Sequence, residues 1–559
     1  MENSEKSAAP VAGALLANSS PSDLEQANCH VNTPEPSAQH NGPRRKPLAF
    51  HMSFLTINIM CFLVSIDATI LAVAIPVIAH ELNGTTLEAF WASISFLLAV
   101  CVVQPIYTSV SNVIGRAMPL YSSFLFFIVG SIVFALSRNM GVLITGRVIQ
   151  GFGAGGLDVL NEVILADITT LKERPKYIGY LSIPMLGGTI LGPVLGGVFS
   201  QYVTWRWIGW INLPLSVFGL LLAVLFLSLK PINLTFQEKM RRLDWVGMAL
   251  FTVGCTLFAS PVAWAGAMFP WSSYKTLIPL CLGAAVLVVF AWYESRPAEP
   301  VFPYRIFKHL TASMALLATF FHGIVTYSIV MYTPLFFQAV YLDAPLQSAV
   351  ICLPLCCISA GFGLFSAIAV EIIRKYRLLI WASWVLTAVG VGILSLLDRS
   401  STLAAKASLQ VPLAIGMGSL FALLNLPLQA SLSNVDDMGL AAGILVSFRL
   451  FGGLIGLAIC STVFNNVFGS QINSLGQLPD NLGILSDVRE AVGLVPLLKD
   501  LNMTTELLDK VIEAYRVSIS AVFWTLTGTA GVGFLISLLI KEKSLESEEL
   551  GKQQLEGKK

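Results

Sequence analysis

An all-α polytopic membrane fold of about fourteen spanning helices is what this sequence predicts. Three observations carry that reading. Of the 559 residues, 55% are hydrophobic and only 12% charged, against roughly a quarter charged in soluble domains, so lipid must solvate much of the apolar surface. Apolar runs of about 20 residues, enough for a helix to cross a bilayer core of about 30 Å, recur from end to end. Lysine and arginine collect in alternate loops between those runs, as they do when basic loops stay in the cytoplasm.

The first seven runs cover residues 53–79, 89–110, 119–136, 141–166, 177–200, 207–229 and 245–265. The remaining seven cover 276–293, 311–336, 348–370, 378–397, 409–432, 439–467 and 517–540. With the N-terminus inside, the cytoplasmic loops carry Arg116, then Lys172, Arg174 and Lys176, then Lys230, Lys239, Arg241 and Arg242. Arg296, Arg305 and Lys308 follow on that side, then Arg374, Lys375 and Arg377, whereas the other side holds only Arg138, Arg206, Lys275, Arg399 and Lys406. Both tails are therefore expected inside.

Residues 1–50 are rich in Ser, Pro, Ala, Asn and Gln and end near Arg44-Arg45-Lys46, which predicts a disordered cytosolic tail with no cleaved signal segment. Residues 541–559 are charged and predict a second cytosolic tail, and 469–515 are polar enough to form an external loop with short helices of its own. Asn83-Gly-Thr85 and Asn502-Met-Thr504 are glycosylation sequons placed on the external side. Trp205, Trp207 and Trp210 at the outer end of the sixth run read as interfacial belt anchors.

The formal net charge of +1 argues against a nucleic-acid partner. All nine cysteines except Cys29 lie in apolar stretches, where thiols are small buried hydrophobes. Cys352, Cys356 and Cys357 lack further ligands at metal-binding spacing, so neither metal nor cofactor is expected. An ATP-driven pump or enzyme is disfavoured because no G-x-x-x-x-G-K-[ST] loop occurs.

Four short motifs lie in order on the runs. The loop after the second reads Ser109-Val-Ser111-Asn112-Val-Ile-Gly115-Arg116, and the fourth carries Gly146-Arg147-Val-Ile-Gln150-Gly151-Phe-Gly153. The fifth carries Gly187-Gly188-Thr-Ile-Leu-Gly192-Pro193-Val-Leu-Gly196-Gly197, and the sixth opens with Trp205-Arg206-Trp207 followed by Asn212 and Pro214. Together with Asp67-Ala-Thr69 in the first run, Leu243-Asp244-Trp245, and Phe448-Arg449 before Gly452-Gly453, this series resembles the fourteen-span drug:proton antiporters of the major facilitator superfamily, fungal members especially.

The resemblance covers everything between the tails. It implies two six-helix halves, 51–230 and 309–540, joined by a two-helix insertion at 231–308. It further implies a proton-coupled efflux transporter working by alternating access, with a small organic molecule and protons as ligands and a monomer in the cell or vacuolar membrane. Export of drugs, toxins or secondary metabolites is the expected activity. Amino-acid or siderophore transport, or a non-transporting sensor, are the alternatives. One departure concerns the loop motif, where relatives carry Asp and this chain has Asn112. The resemblance therefore leaves gating by that ion pair unsupported, while Gly115, Arg116, Gly151, Gly188, Gly192, Pro193, Gly196 and Gly197 remain candidate gating positions.

Ionisable groups at bilayer depth are costly and rarely idle. Asp67 lies near the middle of the first run, and a desolvated carboxylate there is a candidate for proton or substrate handling. In this superfamily the first and fourth spans face one cavity, so Asp67 and Arg147 are expected to communicate. Asp158 and Glu162, four apart, share a helix face and are candidates for sharing a proton or pairing with Arg449. His322, mid-run, suits a relay or a plain hydrogen bond. Phe321, Tyr327, Tyr332 and Gln338 are weaker candidates for lining a substrate cavity.

Overall fold

A computed structural model describes residues 46–546 except 85, 231–233, 266–268, 298, 433–436 and most of 476–503. Fourteen helices in it are long and apolar enough to cross a bilayer, and no strand occurs among the described residues. We number them α1 Leu48–Glu81, α2 Thr86–Ile114, α3 Ala117–Ala135, α4 Met140–Ile168, α5 Arg174–Tyr202, α6 Trp207–Phe226, and α7 Trp245–Trp264. Then come α8 Tyr274–Tyr293, α9 Leu310–Tyr341, α10 Gln347–Ile373, α11 Arg377–Leu394, α12 Leu403–Ala430, α13 Asp437–Ser474 and α14 Thr505–Ser537.

Local chemistry sets many of the helix ends. Asn139 caps α4 by accepting from Val142 N at 2.9 Å, Asp244 caps α7 through Gly247 N at 2.8 Å, and Thr504 caps α14 through Leu507 N. Leu342 and Arg374 end α9 and α10 in left-handed geometry, at φ 56° and 59°. Gly115, at φ 111°, makes the tight turn from α2 to α3, a conformation that a side chain would strain.

The helices pack in two groups. In the first, α1 lies along α5 and α6, and α4 lies against α2 and α3; in the second, α9 packs on α13 and α14, and α12 on α10 and α11. The groups meet where α5 touches α10 and where α13 crosses α2 and α4. The α7–α8 pair leans on α2 and α13 through α7. In the spanning windows of α4 and α12, 78% of residues are buried, against 17% for α8, so the former line the middle and the latter faces lipid.

Several boundaries differ from the sequence reading. The helix of α1 starts at Leu48, within the expected tail, and α13 and α14 extend by a few turns into the expected external loop, to Ser474 and from Thr505. Residues 541–546, expected to be unstructured, are anchored. Glu542 accepts from the N–H groups of Tyr376 and Arg377 at 2.9 and 3.0 Å, and Leu545 is buried. A carboxylate satisfying the free donors that open α11 explains the order. Trp205 is no belt anchor either. It is 1% exposed and donates through Nε1 to Glu81 at 2.8 Å, whereas Trp207 is the exposed indole.

Candidate functional site

Asp67 of α1 sits at the centre of a fully enclosed polar knot. Its carboxylate accepts from Arg147 Nη1 at 2.6 Å, Gln150 Nε2 at 3.0 Å and Asn212 Nδ2 at 2.8 Å, so α1, α4 and α6 converge on one anion. Arg147 also donates to Gln150 Oε1 at 2.9 Å and lies over the Phe96 ring at 4.2 Å. One acid and one base balance here, with amides filling the remaining directions.

Asp158 and Glu162 lie further along α4. Asp158 is about 16 Å along the axis from Arg147 toward the C-terminal end of α4, eleven residues at the rise of an α-helix. Asp158 accepts from Gln104 Nε2 of α2 at 2.7 Å and is half-buried, while Glu162 is 5% exposed. Arg449 of α13 is the guanidinium whose charge bears on both carboxylates, from across the junction of the two groups. It forms no ion pair within salt-bridge distance among the described residues. Its Nη2 donates to the Phe421 carbonyl at 3.3 Å, its guanidinium lies 4.1 Å from the centre of the Phe421 ring, and its buried Nε has no partner. Two acidic side chains of α4 thus share the influence of one buried guanidinium.

A cavity of about 30 Å³ lies beside the Phe421 that Arg449 touches, lined by Ser182 and Met185 of α5, His322 and Thr326 of α9, Ser359 of α10 and Phe421 of α12. It has room for water but not for an organic substrate. His322 Nε2 donates to the Met417 carbonyl at 3.0 Å, and its buried Nδ1 is unpartnered. Of the expected lining residues, Tyr327 packs against Gly453, whereas Tyr332 packs on Phe464 and Gln338 donates to Ser348.

The helix ends that carry the basic loops are drawn together by charges that the sequence offered only as topology signals. Arg116 is 2% exposed, pairs with Asp167 at 2.9 Å and donates to Ser111 Oγ at 2.9 Å. Asn112 is half-buried beside it, so Asp167 supplies the acid that the loop motif lacks. Arg174 is 1% exposed and reaches across to Gln429 Oε1 at 2.8 Å while donating to the carbonyls of Ala166 and Thr169. Arg374 donates to the Lys172 carbonyl at 2.7 Å, and Arg305 pairs with Asp437 at 2.8 Å. The hydrogen bonds of Arg174 and Arg374 thus tie α1–α6 to α9–α14 at the end that carries the basic loops.

The glycine motif of α5 is an interface. A Cβ at Gly188 would stand 2.7 Å from Ser65 Cβ, one at Gly192 2.0 Å from Thr69 Oγ1, and one at Gly196 2.0 Å from the Ile70 carbonyl, all on α1. Gly151 makes the same approach between α4 and α2, at 2.7 Å from the Phe96 carbonyl. The helix stays continuous through Pro193. Asn83 is exposed in a left-handed turn after α1, at φ 50°, whereas Asn502 lies outside the described residues.

A multi-span bundle with buried charges between two helix groups and closing contacts at one end defines a membrane transporter. Known proteins agree with that class. The Major Facilitator Superfamily profile matches residues 57–457, and the chain belongs to that superfamily. It is 44% identical to the MFS-type transporter sphD of Aspergillus fumigatus, over 92% of this chain and 89% of that one. It is 34% identical to the MFS-type efflux pump MMF1 of Pseudozyma antarctica, over 90% and 92%, and 30% identical to the efflux pump FUS6 of Gibberella fujikuroi, over 90% and 91%. The fold is similar to that of the proton:xylose symporter XylE, with a TM-score of 0.57 at 12% identity over 90% of this chain and 98% of that one.

Proposed function

We propose that this transporter is a proton-coupled antiporter that exports small organic molecules, secondary metabolites or toxins, by alternating access. It acts as a non-enzymatic monomer of two six-helix halves, in the cell membrane. The observation that carries this reading is that α13 packs on α4 and brings one buried base, Arg449, toward two acids of α4, Asp158 and Glu162. The unbalanced carboxylate supplies a place for one proton, and Asp158, half-buried on an internal face, gives water access to it.

In this reading the charge of α4 attracts Arg449 and supports closure of the inner ends, alongside Arg174–Gln429 and Arg116–Asp167. A proton arriving from outside weakens that attraction, and α13 is freed to move with Arg449, which keeps its hold on the Phe421 carbonyl. The inner face then opens, the proton leaves to the cytosol, and substrate enters. Asp67–Arg147 is the neutral pivot that keeps α1, α4 and α6 moving together, and His322 gives the cavity a polar wall. The names of the relatives sphD, MMF1 and FUS6, transporter or efflux pump, support export over uptake. Asn83, exposed outside, is the glycan acceptor in this topology.

The test is accumulation of a panel of labelled organic compounds in cells with and without the protein, repeated with a protonophore. Reduced accumulation that vanishes when the gradient collapses supports the reading. Export that persists without a gradient overturns the coupling.

A further inference from the structure

The ends of the inserted pair carry a second buried acidic site that the translocation pathway does not use. Asp244 stands immediately before α7 and Glu294 immediately after α8, and they are only 6% and 3% exposed. Asp244 Oδ1 accepts from Gly247 N at 2.8 Å and from the Tyr293 hydroxyl at 3.3 Å, and Glu294 Oε1 accepts from the Phe302 N–H. The other two oxygens, Asp244 Oδ2 and Glu294 Oε2, are buried and make no well-formed hydrogen bond, the Val301 backbone N–H being the further donor near the Glu294 carboxylate. An ionised carboxylate oxygen buried without a donor is costly, and two neighbouring carboxylates raise that cost further.

Around Glu294 the walls are apolar. The rings of Phe251, Phe290 and Phe302 lie within 5.5 to 6.0 Å of one another, and Val301 is fully buried. The same cluster takes in Leu243, Met248 and Val113 and, through Val110 and Ile114, the inner end of α2, where Lys239 Nζ also donates to the Ile114 carbonyl at 3.0 Å. The titratable groups that bear on Glu294 are Asp244 and Tyr293. The neighbouring cation Arg296 lies on the Trp292 ring at 3.9 Å.

We propose that Asp244 and Glu294 form a proton-binding site on the cytoplasmic face, whose occupancy sets how firmly the inserted pair grips the inner end of α2. Burial, reinforced by the charge of Asp244, pushes the Glu294 carboxyl up to about 7 from 4.5. An acid held above its unfolded value stabilises the packed form when protonated, and that contribution fades as pH rises from 4.5 to about 7. The grip is therefore firm in an acidic cytosol and loose in an alkaline one. Ser111 and Arg116 flank the gripped end, so the site adjusts the closing contacts of the inner face. If the chain imports protons as proposed above, the site brakes it as the cytosol acidifies; only the direction of that effect rests on the earlier reading.

The test is infrared difference spectroscopy of the purified full-length protein in nanodiscs, titrated from about pH 6 to about pH 8. Wild type minus Glu294→Gln is expected to show a protonated-carboxyl C=O band that disappears with a midpoint near 7. Asp244→Asn is expected to keep that band and move its midpoint down, because a like charge is removed. A difference spectrum with no titrating band, or an Asp244→Asn midpoint that stays put, overturns the proposal, whether or not the protein proves to be proton-coupled. With transport measured at a fixed gradient and varied cytoplasmic pH, the wild-type rate should change severalfold across this window and the Glu294→Gln rate should not. Identical profiles overturn the regulatory role.

Discussion

Asp67 and Glu162 are both buried carboxylates on the inner faces of the bundle, yet their surroundings assign them different work. Asp67 has three donors, one of them the guanidinium of Arg147, so removing Arg147 strands a buried charge. Breaking such a pair costs roughly 3–5 kcal/mol. Arg147→Ala should therefore lower the melting temperature and the yield of folded protein, as followed by fluorescence-detected size exclusion. Asp67→Asn keeps the side-chain volume and removes the charge, yet the knot adds a folding cost, because an amide cannot accept from all three donors. Glu162→Gln and Asp158→Asn meet no such knot, and each should fold while uncoupling export from the gradient, measured as protonophore-insensitive accumulation. The sequence made Asp67, Arg147, Asp158, Glu162 and Arg449 visible because charge is rare in apolar runs. It left Gln104, Asp167, Arg174 and Gln429 unnoticed as partners, since each lies at a run's polar end or is an uncharged amide whose worth depends on what stands opposite.

At the scale of the helix, α5 tests the packing account. Gly192 approaches α1 until only a hydrogen fits, because a methyl carbon there would have Thr69 Oγ1, the Ile66 carbonyl and Ile70 N all within 3.0 Å. Gly192→Leu should separate α5 from α1 and destabilise by at least the ~1–3 kcal/mol of an overpacked core. Gly187→Ala, whose new methyl finds Phe62 at 3.9 Å, should be silent. Equal thermal stability of the two variants would refute the claim that the motif is a contact. The stripe of small residues at four-residue spacing is legible in the sequence alone. Its partner helix is not, because spacing names a face but not what covers it. Helix existence followed from hydropathy alone, whereas the ends of α13 and α14 did not, since helix continues beyond the apolar part where tertiary contacts support it.

For the whole molecule, closure of the end that bears the basic loops is the structural claim with the widest consequence. Arg174 is fully enclosed and spans 255 positions of sequence to reach Gln429. Arg174→Ala leaves Gln429 unpaired and should shift the population toward the inward-open form, read as faster labelling of a cysteine introduced on α13 near Met438. Fold class, span number and the side that bears the basic loops were readable from composition and charge, because a bilayer imposes them on every spanning helix. The cross-contacts were not readable, because single-residue patterns carry no information on which distant surfaces meet. The measurement that bears most directly on the central claim is transport by the purified protein in proteoliposomes under an imposed pH gradient, with wild type and Glu162→Gln side by side. The account predicts substrate movement opposite to the proton gradient in wild type, with internal pH changing in step, and neither gradient-driven accumulation nor substrate-linked proton flux in Glu162→Gln. Equal gradient-driven movement in the two proteins would contradict it.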